Sequence, residues 1–220
     1  ACDDGNTTDD DGCSHDCQIE HPVEPVCELI PQSGCDGATP ACDLGGCRAV
    51  TSQGTSNNHC AVDTACKAGY TCVGGNGSDE AAWCARFCEA DSDCLGTGSR
   101  CVDDLSDASG QPLDVVTCSN ACDPYAQTGC PTQMGCLAIY ATGGAFTDCF
   151  YQGAVAEGGA CQSAHDCEDG LACVTHGNSA GVCEPYCIVG NDSTCDDLDT
   201  ICVGLLHPLD IGAVEYGVCE

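Results

Sequence analysis

"CQSAHDCEDGLACVTHGNSAGVCEPYC", residues 161–187, places five cysteines at steps of 6, 6, 10 and 4, with little between them but small and polar residues. The same rhythm occurs upstream, where "CAVDTACKAGYTC" (60–72) leads into "CARFCEADSDC" (84–94). Followed to Cys118, the upstream copy steps 6, 6, 12, 4, 6, 7 and 17. Followed to Cys219, the downstream copy steps 6, 6, 10, 4, 8, 7 and 17, so both span 59 residues. Matching spacing and matching side chains mark a duplication. Between the copies, "CSNACDPYAQTGCPTQMGC" (118–136, closing at Cys149) repeats only the second half of the unit. Cys35, Cys42 and Cys47 echo the first half.

Composition explains why cysteine dominates. Leu, Ile, Val and Phe supply 35 of 220 residues, and the formal charge is −31. A chain so poor in apolar residues and so charged does not bury a conventional core. Its 27 cysteines replace that core with crosslinks. Each bridge closing a loop of about 15 residues contributes on the order of 3 kcal/mol. This cysteine usage belongs to an oxidising compartment. The chain starts at Ala1 and has no apolar run of membrane-spanning length, so we expect an extracellular or cell-surface product whose signal peptide has been removed. Lys67, Arg48, Arg86 and Arg100 are its only basic residues. Nucleic-acid binding and attachment to anionic membranes are disfavoured by that field.

Sorted into fours, the cysteines fall into 2/13/17/27, 60/66/72/84, 88/94/101/118, 122/130/136/149, 161/167/173/183 and 187/195/202/219. The remainder is 35/42/47. The odd total leaves at least one thiol unpaired within the chain or bonded elsewhere. This grouping places it at Cys35, Cys42 or Cys47, with Cys2 as the rival. The corresponding segmentation is 1–30, 31–59, 60–118, 119–160 and 161–220. "GCLAIYATGGAFTDCF" (135–150) carries a hairpin signal around Thr142-Gly143-Gly144. "RCVDDLSDASGQPLDVVTC" (100–118) and "ICVGLLHPLDIGAVEYGVC" (201–219) each predict two short strands around a Pro-containing loop. No amphipathic stretch supports a long helix. The expected fold is small disulfide-rich modules in tandem, built of short β-hairpins and loops with little helix and stacked as an elongated rod.

Residue patterns for catalysis are missing from the sequence. His15, His21, His59, His165, His176 and His207 form no zinc-protease motif, and no nucleophile elbow or phosphate-cradling loop occurs. The CxxxC pairs (13/17, 84/88, 118/122, 183/187) are one residue too wide for a redox pair and are expected to bridge to different partners. We expect no enzyme. Asn6, Asn76 and Asn191 each open an N-glycosylation triplet, at a frequency near chance for this composition.

Metal chemistry has one strong candidate. "DDGNTTDDDG" (3–12) gathers Asp3, Asp4, Asn6, Asp9, Asp10 and Asp11 between cysteines, with Gly5 and Gly12 at the bends. Calcium takes six to eight oxygens from such loops. The same aspartates also suit water-facing turns, and both readings stay open. At Asp91/Asp93, Glu168/Asp169 and Asp196/Asp197/Asp199 the turn-forming reading is preferred.

The first of these stretches also has a family likeness. "CDDGNTTDDDGCSHDCQIE" (2–20) resembles the myxobacterial cysteine-rich repeat, whose pattern runs C-D-D-G-N, a short spacer, D-G-C-S, two residues and C. Asp10 departs from the glycine usual there, and the family's upstream C-G segment is missing. The resemblance covers about 20 to 27 residues and implies a secreted or surface-exposed bacterial protein. Through its similarity to Notch-type cysteine repeats it also implies calcium held by Asp3, Asp4, Asn6 and Asp11. Residues 161–187 look like the Dickkopf N-terminal cysteine-rich pattern, found also in bacterial surface proteins. Neither family is enzymatic.

Two functions of different class follow. One is a structural subunit that self-associates into an extracellular filament or surface matrix. The other is a calcium-stiffened adhesion or ligand-binding module, recognising an extracellular protein or glycan through aromatics such as Trp83, Phe87, Tyr125 and Tyr186; a protease inhibitor is a third and weaker choice. Packing of those aromatics over local disulfides is the competing explanation for their positions.

Overall fold

The computed structural model describes residues 27–220 apart from 36, 45, 57, 75–81, 107–109, 178 and 196–199. The acidic loop at 3–12, Cys2, Cys13, Cys17, His15, His21, and the acidic cluster at 196–199 therefore lie outside the described residues. All 24 cysteines from Cys27 to Cys219 are bridged. They fall into six successive fours, here units 1 to 6, spanning 27–47, 60–84, 88–118, 122–149, 161–183 and 187–219. In every unit the first cysteine bonds the third and the second bonds the fourth, as in Cys60–Cys72 with Cys66–Cys84.

The reason for this uniform pairing is visible in the strands. Each unit is a loop followed by a β-hairpin: β1 (Ala41–Asp43) with β2 (Gly46–Arg48), β3 (Tyr70–Gly74) with β4 (Ala82–Cys88), β5 (Cys101–Ser106) with β6 (Pro112–Cys118), and β7 (Gly135–Ala141) with β8 (Gly144–Phe150). After a short β9 (Ala160–Cys161) come β10 (Leu171–Thr175) with β11 (Gly181–Ile188), and β12 (Cys202–Ile211) with β13 (Val214–Cys219). The third and fourth cysteines sit directly opposite each other across the hairpin, as Cys42 and Cys47 do, or Cys136 and Cys149. Each reaches back to the preceding loop, so the two bridges tie that loop down onto the hairpin. Among the described residues the helical segments are single 3₁₀ turns such as Asp63–Ala65 and Asp91–Asp93.

The duplicated 59-residue segments are one structural block each. β4 leaves unit 2 and enters unit 3, giving the order β3-β4-β6-β5; β11 does the same between units 5 and 6, giving β10-β11-β13-β12 with β9 on β11. Both blocks open their first hairpin after a left-handed glycine, Gly69 at φ +85° and Gly170 at φ +81°, a conformation glycine adopts freely.

Two expectations need correction. Cys35, Cys42 and Cys47 are not a remainder: Cys27 bonds Cys42 and Cys35 bonds Cys47, so the odd thiol is none of these. The true period is three units. Unit 4 repeats unit 1, since Gln32 of "CELIPQSGC" and Gln127 of "CDPYAQTGC" do the same work. Their Oε1 atoms accept the backbone N–H of the third cysteine (2.8 Å at Cys42, 2.9 Å at Cys136), and their Nε2 atoms donate to that cysteine's carbonyl, both at 3.1 Å. Gly69 and Gly170 then lie against the Cγ atoms of Gln32 and Gln127. Second, Pro208 is not in a loop but inside β12. The reversal falls at Gly212-Ala213, and β12 shifts register against β13 between Gly204 and Leu209. The hairpin around Thr142-Gly143 forms as expected, and so do two strands in 100–118, although Pro112 opens β6 opposite Ser106 instead of lying in the loop.

Beyond the neighbour contacts that dominate a linear array, some contacts skip a unit. β12 packs on β7 and β8, two units back. A side chain at Gly98 in unit 3 would meet Ile211 Cγ2 of unit 6 and Thr147 Oγ1 of unit 4, each 2.7 Å from where its Cβ would sit. The largest apolar cluster lies in this second half: Leu137, Ala172, Tyr186, Leu209, Ile211, Tyr216 and Val218. In the first half the corresponding cluster is three cysteines and Tyr70.

Candidate functional site

The sequence-predicted metal ligands Asp3, Asp4, Asn6, Asp9 and Asp11 lie outside the described residues, and the acidic groups at Asp91 and Asp93 serve the local structure. Asp91 accepts the Cys101 N–H at 2.9 Å and the Arg100 guanidinium at 3.0 Å, and the backbone bond first, then the arginine, holds its carboxyl below the usual carboxylate range. Asp93 is lowered by the N–H groups of Glu89 and Ala90, both at 3.0 Å. Asp63 and Asp192 repeat the Asp91 role, accepting from Cys72 and Cys202, the third cysteines of their units. These aspartates are turn staples, as expected at Asp91/Asp93. The CxxxC cysteines also behave as expected where described: Cys84 and Cys88 bond Cys66 and Cys101, and Cys183 and Cys187 bond Cys167 and Cys202. Cysteines that cluster closely enough to hold a metal are spent in such bridges.

The aromatics divide. Phe87 and Tyr186, at equivalent positions before a bridged cysteine, are buried. Burial pushes the Tyr186 hydroxyl up to about 12, and the Ala138 N–H donates to it at 3.3 Å. Tyr125, by contrast, is 40% exposed. His165 meets Phe150 edge-on at 4.8 Å and His207 stacks on Tyr140 at 4.7 Å. His176 Nε2 donates to the Glu184 carboxylate at 2.7 Å, which raises the histidine's pKa.

Among the described residues hollows open on the surface, two of which bear on function. One, of about 320 Å³, is lined by Ile30, Pro31, Lys67, Tyr70, Arg86 and Asp93, and so holds two of the four basic residues. The other, of about 440 Å³, is lined by Gln133, Gln152, Gly153, Glu168 and Asp169; both amide atoms of Gln152 are buried without a partner.

The most perturbed group was not foreseen. Asp103 on β5 and Asp148 on β8 bring two carboxyls together where unit 3 meets unit 4. Asp148 is 5% exposed, and its Oδ1 accepts from Asn120 N, Asn120 Nδ2 and Cys149 N at 2.8 to 2.9 Å. Burial, then the Asp148 charge, pushes Asp103 up to about 7. Burial also raises Asp148, against its three donors. Two such carboxyls share a proton, Asp103 donating and Asp148 accepting. The sequence does carry one trace of this: Asp148 is the first charged residue after the uncharged run 124–147.

Around this pair the junction is polar and closed. Thr147 Oγ1 donates to the Asn120 carbonyl at 3.0 Å, and Arg100 Nη1 donates to the Gly144 carbonyl at 3.2 Å. The arrangement fixes one unit against the next. No protein-family description, curated protein or solved structure matches the chain.

Proposed function

We propose that this chain is a structural subunit of an extracellular filament or surface matrix, acting by assembly rather than by catalysis. Dense disulfide bonding is that of a secreted, extracellular protein, and no helix among the described residues is long and apolar enough to cross a membrane. One observation carries the reading further. Every cysteine from Cys27 onward is consumed inside its own unit, while Asp103 with Asp148, Tyr186 with Ala138, His165 with Phe150 and His207 with Tyr140 join one unit to another. These contacts hold shape, which supports a structural role. Parity adds a route to assembly: with 24 cysteines paired among themselves, the odd thiol of the 27 falls among Cys2, Cys13 and Cys17.

Comparing non-reducing with reducing electrophoresis, alongside negative-stain microscopy of native material, tests this. Fibres, with or without intermolecular disulfides, are the expected result. Single short particles at every concentration would end the proposal. The calcium-stiffened binding module rests on the loop at 3–12. If it is right, chelation lowers the melting temperature, and Asp4→Asn with Asp11→Asn abolishes that shift; a melting curve indifferent to chelator removes it.

A further inference from the structure

Acidic residues make up 35 of the 220; residues 124–147, the longest run without Asp, Glu, Lys or Arg, and residues 201–209 are two of several stretches that carry none. The fold brings these two stretches together, because β12 packs on β7 and β8. At their meeting point Tyr140, 51% exposed, stacks on His207. Next to His207 is Leu206, whose 93% exposure is extreme for a large apolar side chain, and then Pro208, also exposed. Three consecutive exposed residues break the in–out alternation of a strand. The register shift between Gly204 and Leu209 produces that break and pushes the segment outward.

We propose that this uncharged face, formed by Tyr140, Leu206, His207 and Pro208, is where one copy of the chain meets a second copy. The proposal rests on the self-assembly proposed above and names its surface. The choice of occupant follows from charge. A cationic partner gains most by docking on the acidic faces, which this patch is not. A partner that is itself at −31 can approach closely only where neither side presents carboxylates. Another copy of this chain is that partner. The patch is bordered by Arg100, whose guanidinium reaches the Gly144 carbonyl, and by exposed Asp210, so it is confined to the hairpin tip and the bulge. β12 is the edge of its sheet, but the bulge and Pro208 block strand addition there. The contact is therefore made by side chains.

Sedimentation velocity on the intact oxidised chain, over a concentration series at low and at about 0.5 M salt, tests this. Association is expected to strengthen with salt, since screening removes like-charge repulsion without weakening an apolar contact. Leu206→Asp should weaken it by about tenfold or more, and Tyr140→Glu likewise. Val62→Asp, at a 58% exposed apolar residue in the loop of unit 2, should leave it unchanged. An unaltered free-thiol count and circular dichroism spectrum confirm folding, which Leu206→Asp cannot perturb from so exposed a position. If the wild type assembles and Leu206→Asp assembles equally, this surface is wrong while self-assembly stands. Association that salt or chelation abolishes points to cation-bridged carboxylates and also overturns the surface. A wild type that stays monomeric throughout defeats the assembly proposal itself.

Discussion

Units 1 and 4 share a frame and differ in what fills it. Both pair their cysteines first to third and second to fourth, and both anchor the loop with a glutamine on the third cysteine. The residue after the third cysteine is Asp43 in one and Leu137 in the other; after the fourth it is Arg48 or Phe150. In unit 1 these form an ion pair with side chains 8% and 11% exposed, and Arg48 Nη1 donates to the Cys66 carbonyl at 3.0 Å, with Tyr70 O accepting from Nη2. In unit 4 Leu137 enters the apolar cluster and Phe150 packs on His165. The same disulfide frame thus joins its successor by charge in one half and by apolar contact in the other. The backbone is specified by the bridges; the junction is specified by two positions beside them.

Loss of a bridge should separate the halves most. Replacing Cys35 and Cys47 with alanine removes about 3 kcal/mol of loop-closure stabilisation from a unit with a hairpin only a few residues long. Unit 1 should lose hydrogen-exchange protection at the Cys42 amide. The matching change at Cys130 and Cys149 should leave the Cys136 amide protected, because Leu137 and Phe146 remain buried. Equal melting of both units would break the comparison. Next in size is the fill itself. Arg48→Ala strands a buried aspartate and should cost about 3 to 5 kcal/mol, whereas Leu137→Ala should cost about 2 to 4 kcal/mol through cavity formation. Adding Asp43→Leu to Arg48→Ala should recover most of the first loss and none of the second, read by denaturant unfolding of each unit.

The smallest effect concerns protons. Unit 4 carries Asp148 where unit 1 has Gly46, so only the later junction holds a carboxyl pair. Asp103 has a folded pKa raised from 3.8 to about 7, so the folded state binds the extra proton. Its contribution is complete below the unfolded value and is lost as pH rises through the folded one. Protection of the Asn120 and Cys149 amides should fall between about pH 4 and 7, by about 2 kcal/mol once partial exposure is allowed for. Asp103→Asn donates the same hydrogen bond without titrating and should flatten that profile. A profile equally steep in the variant would assign the pH dependence elsewhere.

How much of this was legible follows from the range of the interactions. Local rules sufficed for the hairpins, since Thr142-Gly143 and β-prone runs between cysteines demand a reversal. The 59-residue duplication was equally plain. The grouping of Cys27 was not, because counting from the first cysteine shifts the frame. The correct signal, Gln three residues before the second cysteine in both "CELIPQSGC" and "CDPYAQTGC", is a side-chain coincidence rather than a spacing. Asp103 and Asp148 could not be picked from 35 acidic residues, for burial at a junction depends on how units turn on one another. Leu206 looked like a strand residue; its exposure comes from a register shift that no local pattern encodes.

Because each described unit closes both of its bridges internally, the unit is also the natural currency of change in this gene. Copying, deleting or exchanging a unit at the segments between them always moves four thiols at once and never orphans one. A lineage can lengthen such a protein without passing through misoxidised intermediates, and the three-unit period is the record of one such event. Moving whole units therefore leaves any lone cysteine outside them.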